Sequence, residues 1–345
     1  MATSLSKPVA ALILLACLAR AQTSACPDIE LVGAPKTILR SGSPDWDSGG
    51  MTPGAIVREG KRWRLVYSAS RAKRPGGTDR NSQSAWEKGR IAIGSATSED
   101  LVRWTRAPRN PILSPLAGAW DYKNVMVRAV MKDKTGYRLW YHGEGKPILP
   151  GLAVSADGLR FERHPSSPLM RVTPGGFDAE VIGDFSILPR DGVLYMFYNG
   201  YGPYDNGRHA RNEKHHRIGL AISLDGVRWF KYSGNPILDL GEPGQWDSAE
   251  VLFPSVMPFR RGYLMRYMGL NKSWHQMHEG GRMRTGLAWS EDLIHWRRCA
   301  NSPLGNDALF GAVFFQAGKN LKAVVGGDGK MEIYDVAIRT ASAPP

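Results

Sequence analysis

The hydrophobic positions of this chain fall in short runs broken by glycine, aspartate and proline, and the runs recur in a fixed order. The stretch RIGLAISLDGVRWFKYSGNPIL, residues 217–238, has counterparts in RIAIGSATSEDLVRWTRAPRNPIL (90–113), GLAVSADGLRFERHPSSPL (151–169) and TGLAWSEDLIHWRRCANSPL (285–304). A second recurring stretch precedes each copy, at 45–70, 119–145, 176–202 and 245–271. It holds an aromatic–Asp pair, an apolar run, a turn, and a second run ending in Tyr plus a small or polar residue. Runs of this length, rich in β-branched and aromatic residues and bounded by turn formers, read as strands. The complete unit is therefore strand A, turn, strand B, loop, strand C, an Asp turn and strand D, a four-stranded antiparallel meander of the propeller-blade type.

The fifth unit, residues 305–339, is degraded and lacks an outer strand. PKTILR (35–40) resembles the NPIL strand end and has no unit of its own before it, which predicts that the N-terminal segment completes the last blade and leaves no free sheet edge. The expected fold is all-β: a single five-bladed β-propeller closed by the N-terminal segment, over residues 22–345. Features present in every copy serve the blade. The Trp of RW and HW is expected to fill the space between sheets, and the Asp of SLDG to make a side-chain turn.

Residues 1–21 read as a signal peptide. Lys7 supplies the positive start, PVAALILLACLA the apolar segment, and Ala19-Arg20-Ala21 the cleavage site. The run is too short to span a membrane, so the expectation is export to the periplasm or medium. LLAC ending at Cys17 offers a lipoprotein anchor as a second reading. After cleavage Cys26 and Cys299 remain, either paired or as separate thiols. The net charge of +13 is scattered, without a Lys/Arg block of the nucleic-acid type. It indicates a basic surface and admits an anionic polysaccharide as substrate.

Candidate chemistry lies where the copies differ. Strand A of a propeller lines the central channel, and its start shares a face with the B–C loops. Three of those loops are long: 71–89, 201–216 and 271–284. They carry Trp86, His215, His216, Trp274 and His275, side chains suited to stacking on and hydrogen bonding to sugars. The histidines lack compact metal-ligand spacing, so neither a metal nor a cofactor is expected. His142 and Asn199, ending two of the B strands, join the binding candidates. Along strand A the variable positions are Gly50, Thr52 and Gly54; Asn124, Met126 and Arg128; Glu180, Ile182 and Asp184; and Glu250, Leu252 and Pro254. Alternation along a strand predicts that Glu180 and Asp184 face the same way, with Arg128 on the adjacent blade. The third A strand counts one residue more between Glu180 and Ile187 than do 50–56, 124–130 and 250–256, which predicts a bulge peculiar to that blade, aiming Asp184 into the channel.

The words WDSAEVLFPSVM, YLMRYMGLN and TGLAWSEDLIHW resemble the blades of the five-bladed β-propeller glycosidases: the arabinanase- and xylosidase-like, invertase-like and mannoside phosphorylase families (glycoside hydrolase families 43, 32 and 130). The resemblance runs over 38–339. It implies acidic residues at the channel ends of the first three A strands. By position, blade 3 offers Glu180 and Asp184. Blade 1 has Thr52 near the expected acid, with Asp45 and Asp47 upstream, and blade 2 has Arg128, with Asp121 upstream. The DP and RDP words of those families are missing. The reading is an exported, monomeric glycoside hydrolase acting on an oligo- or polysaccharide, with two carboxylates as its acid and base. Asp184 or Glu180 is the expected acid, and Asp47, Asp45 or Glu250 the base. Arg128, His142, Asn199, His215, His216, Trp86, Trp274, His275 and Asp45 are the expected substrate contacts. The rival readings are a non-catalytic sugar-binding propeller and a mannoside phosphorylase-like enzyme whose Arg and His hold phosphate.

Overall fold

A computed structural model describes residues 26–42, 46–71, 91–205, 207, 213–274, 276, 280–305, 309, 311–327 and 329–340. The signal-peptide reading and Cys17 lie outside the described residues. The chain enters through β1 (Pro27–Arg40) and then builds four blades in order. Blade 1 comprises β2 (Met51–Glu59), β3 (Arg62–Ala69), β4 (Ala92–Ser98) and β5 (Thr105–Arg106). Blade 2 comprises β6 (Asn124–Asp133), β7 (Gly136–Glu144), β8 (Leu149–Ser155) and β9 (Glu162–Arg163). Blade 3 comprises β10 (Val181–Arg190), β11 (Val193–Pro203), β12 (Lys214–Ser223) and β13 (Phe230–Lys231). Blade 4 comprises β14 (Glu250–Phe259), β15 (Gly262–Leu270), β16 (Met283–Ser290) and β17 (Arg297–Arg298). The fifth sheet is β18 (Val313–Ala317), β19 (Asn320–Gly327) and β20 (Lys330–Thr340), with β1 antiparallel to β20 at its outer edge. All five sheets are four-stranded and antiparallel, blades 1 to 4 as meanders, and no α-helix occurs among the described residues.

The recurring words do the same physical work in each blade. The Asp of the C–D turn accepts the backbone N–H groups two and three residues on, as at Asp100, Asp157, Asp225 and Asp292. Asn110 and Asn235, before their prolines, bond both backbone groups of a strand C residue, Ser95 and Leu220. Trp104, Trp229 and Trp296 pack half-buried against the hydrophobic clusters between sheets. At the seam of blades 2 and 3, Trp140 is fully buried and its indole N–H donates to the Gly226 carbonyl at 2.9 Å, so a large apolar surface is buried without orphaning its one donor.

Cys26 and Cys299 form a disulfide. It fastens the head of β1 to the segment after β17. Asn301 adds hydrogen bonds to the Pro27 carbonyl (3.0 Å) and to Asp28 (2.7 Å) on the same strand. The bond is packed into an apolar cluster with Ile29, Leu264, Leu287, Leu304 and Leu309. No helix among the described residues is long and apolar enough to cross a membrane.

Candidate functional site

The aromatic–Asp pairs form a clasp that joins each inter-blade linker to the sheet it enters. Asp47, Asp121, Asp178 and Asp247 are buried and accept a hydrogen bond from the hydroxyl of Tyr67, Tyr141, Tyr198 and Tyr267 respectively, at 2.9–3.1 Å. A cation from strand D completes each: Arg106, Arg163, Lys231 or Arg298. Trp46, Trp120, Phe177 and Trp246 lie against the same tyrosines with ring centroids 5.6–5.8 Å apart. They also cover Gly94, Gly151, Gly219 and Gly286, where a Cβ would strike the ring. Asp47 is thus placed in a clasp repeated in every one of these blades. The Asp47 carboxylate, selected from sequence as a candidate base, serves Tyr67 and Arg106 inside the blade.

The clasp also supplies the right frame for comparing the A strands. Asp47 to Ile56, Asp121 to Val130, Asp178 to Ile187 and Asp247 to Val256 span equal intervals, and the inner strands of blades 1 to 4 are all bulged. The extra residue expected in blade 3 alone is an error of frame by one position. The bulges lie at Gly54, Arg128, Asp184 and Phe253-Pro254. They differ in chemistry, and they meet near the axis. A Cβ at Gly54 would run into Val127 of blade 2. Arg128 forms an ion pair with Asp184 of blade 3 and lies over the Phe253 ring of blade 4, 5.9 Å from its centroid. Asp184 and Phe253 both take positive φ, 25° and 54°, a conformation that costs a non-glycine residue free energy and concentrates at functional positions.

Around this ion pair lies a buried polar chain. The Asp184 N–H donates to His142 Nδ1 at 3.3 Å, and His142 Nε2 faces Glu144 Oε1 at 3.3 Å. Asn124 donates to Glu144 Oε2 at 2.7 Å, and Lys123 stands 4.0 Å from the same oxygen. Burial, reinforced by the charge of Arg128, pushes the imidazole of His142 below its ordinary value, against the pull of Glu144. Burial alone would raise the Glu144 carboxyl; the hydrogen bonds with His142 and Asn124 and the ammonium of Lys123 outweigh it and hold the group low. Burial pushes the Arg128 guanidinium down to about 10, only partly offset by Glu144. Arg128 still carries its full charge at neutral pH.

A second cluster forms where blades 3 and 4 meet. Glu250, first residue of β14, is buried and accepts the backbone N–H groups of His216 (2.5 Å) and Trp274 (3.1 Å). His216 Nδ1 lies 3.1 Å from the same carboxylate, and its ring packs on Tyr201 with centroids 4.7 Å apart. Burial would raise the Glu250 carboxyl, but these His216 and Trp274 contacts outweigh it and hold it below the ordinary range. His215 Nδ1 bonds the Ala249 carbonyl at 2.8 Å. Trp274 and Phe253 pack on an apolar group of Leu252, Met268 and Leu270, which gives blade 4 an apolar wall beside the charged groups of blades 2 and 3.

Of the residues singled out from sequence, the structure brings Asp184, Arg128 and His142 together, and Glu250, His216 and Trp274 together. Asn199 is buried on β11 opposite Gly183. Glu180 does not face the same way as Asp184. It precedes β10, its side chain is 47% exposed, and it pairs with Lys214 at 2.5 Å. The alternation argument failed because the residue lies outside the strand and the bulge intervenes. Asp45, Trp86 and His275 lie outside the described residues. Glu144, Phe253, Tyr201 and Lys214 were missed. The signal for Glu144 was present: the B-strand position that holds Glu144 is Ser70, Tyr201 or Leu270 in the other blades, but only the A strands were compared. Among the described residues, no three His, Cys, Asp or Glu side chains are grouped to hold a metal.

No family model matches the chain. An uncharacterized protein of Mycobacterium tuberculosis is 27% identical over 250 residues, covering 67% of this chain and 71% of that one. A 1,2-beta-oligomannan phosphorylase of a Thermoanaerobacter species is 27% identical over 208 residues, 57% of this chain and 60% of its own length. A solved structure described as a glycoside hydrolase superposes with a TM-score of 0.64 at 17% identity, covering 91% of this chain and 95% of its own. The fold is that of the five-bladed β-propeller glycosidases.

Proposed function

We propose that this protein is an exported carbohydrate-active enzyme that cleaves a glycosidic bond at the mouth of its propeller axis. The observation that carries this reading is the set of A-strand bulges. The four blades share their clasps and turns, yet at the bulge they diverge into Gly54, Arg128, Asp184 and Phe253. A charged pair, a strained backbone and an aromatic face are thereby assembled at one place. Asp184 and Arg128 are suited to hold sugar hydroxyls, and Phe253 and Trp274 to meet the apolar face of a sugar ring. The superposed glycoside hydrolase and the related phosphorylase support the same class of chemistry. The Cys26–Cys299 disulfide supports an oxidising compartment, in keeping with the leader-like start of the chain.

Hydrolysis is the first reading. Phosphorolysis is the second, favoured by the phosphorylase relative and by the cations Arg128 and Lys214 near the two clusters. A panel of arabino-, fructo- and manno-disaccharides, incubated with and without inorganic phosphate, tests both. Free reducing sugar in both arms indicates hydrolysis, and a sugar 1-phosphate formed only with phosphate indicates phosphorolysis. Saccharide binding without any product would refute the enzymatic reading.

A further inference from the structure

Glycosidic bond cleavage needs a proton for the departing oxygen, and a carboxylic acid can supply one only if it stays protonated near neutral pH. Among the described residues, the carboxylates at this site are poorly placed for that. Asp184 is engaged in an ion pair with Arg128. Glu144 is held by Asn124 with Lys123 nearby. Glu250 accepts two backbone N–H groups and faces an imidazole. Glu180 lies at the exposed edge of the His216 cluster, paired with Lys214.

The repeat supplies a control for reading Glu250. Three residues past the clasp aspartate, Asn124 occupies in blade 2 the place that Glu250 occupies in blade 4. Asn124 accepts the backbone N–H of Ile91, immediately before strand C of the preceding blade, as Glu250 accepts that of His216 within strand C of its own preceding blade. The neutral amide therefore suffices for stapling one blade to the next. What the glutamate adds is a negative charge directed at His216 Nδ1.

We propose that His216, oriented by Glu250, is the proton donor of this site; the inference rests on the glycosidase reading above. The carboxylate fixes Nδ1 as the protonated nitrogen, which turns Nε2 away from Glu250, and the side chain remains 17% exposed. His142 is unsuited to the role, being fully buried and held toward its neutral form. Among the described residues, the other titratable groups around His216 are Tyr201, stacked on its ring; His215, its chain neighbour; Glu213, 3.7 Å from His215; and the Lys214–Glu180 pair. In the step itself, the C1–O bond breaks and its electron pair stays on the leaving oxygen, which takes the Nε2 proton of the doubly protonated imidazolium and leaves the neutral Nδ1–H imidazole behind. A water oxygen bonds to C1 and releases its spare proton to solvent, from which the imidazole is recharged. One water is consumed and no proton is gained or lost overall.

The test has two parts. Long-range nitrogen–proton NMR of wild type and Glu250→Gln reports the His216 tautomer without any substrate. An Nδ1–H neutral form in wild type that is lost or mixed in the variant is expected; an unchanged Nε2–H form in both overturns the dyad. Kinetics of His216→Asn then compare the disaccharides of the panel above with the corresponding 2,4-dinitrophenyl glycosides, whose leaving group needs no proton. The expected loss is on the order of 100-fold or more on the disaccharide and only a few-fold on the aryl glycoside. Equal losses on both overturns proton donation while leaving the glycosidase reading intact. A wild type inert toward every sugar of the panel overturns that reading, and the proton donor with it.

Discussion

Replacing Asp184 by Asn removes one charge from the axis and leaves the Arg128 guanidinium in place. Both side chains are mostly buried, at 10% and 14% exposure. Burial has already moved Arg128 from its ordinary 12.5 to about 10, so holding it charged there costs about 3 kcal/mol even with Glu144 nearby. Since about 10 is still well above neutral pH, the arginine cannot escape by losing its proton. The variant must carry a buried cation whose direct partner has become a neutral amide. A loss of about 3 kcal/mol in unfolding free energy is expected, in the range for breaking a buried pair from one side, or roughly 6 °C in Tm for a domain of this size. Urea unfolding of Asp184→Asn, Arg128→Gln and the double variant forms a complete cycle. The double variant should recover more than half of the loss, because it removes the stranded charge. A single variant within about 0.5 kcal/mol of wild type, or a double variant whose loss is the plain sum of the singles, would refute the pairing argument.

Reduction of the Cys26–Cys299 bond, or Cys299→Ser, should lower stability by roughly 3–5 kcal/mol, because the cross-link closes a sequence separation of 273 residues; a Tm unchanged by reductant in a thermal scan counts against this. Tyr67→Phe, Tyr141→Phe and Tyr267→Phe each remove the hydroxyl donor of one clasp carboxylate, and each should cost about 1–2 kcal/mol in chemical denaturation; losses near zero would show that the clasp is ornamental. His142, depressed by burial and by Arg128, binds its proton more readily in the unfolded chain than in the native one. Its contribution to stability is therefore present above the unfolded value of about 6.5 and is lost as pH falls below it. Urea midpoints measured across that range should decline with acidification in wild type and decline less in His142→Gln; equal slopes contradict the assignment.

The repeating pattern of apolar runs and turn residues was enough, by itself, to specify the blades. Four copies of a strand–turn signal allow each local preference to be checked against three others, and β-meanders form between neighbours in the chain. For that reason the Asp turns and the inter-sheet tryptophans were legible before any coordinates, whereas Asp47 of an aromatic–Asp pair was still counted among the candidate bases. What escaped the sequence was the frame. Placing Glu180 opposite Asn124 was a slip of one residue, and in a strand one residue exchanges the two faces. Only the hydrogen-bond register shows that the A strands of blades 1 to 4 are bulged and that Glu180 lies outside β10 while Asp184 lies within it. The partners of the site also required the ring. Arg128, Asp184 and Phe253 are far apart in sequence and come from three blades, and His216 meets Glu250 across a seam. Short-range patterning governs how a blade folds. Which side chains share the axis is decided by how five blades close around it, and that is a property of the tertiary structure alone.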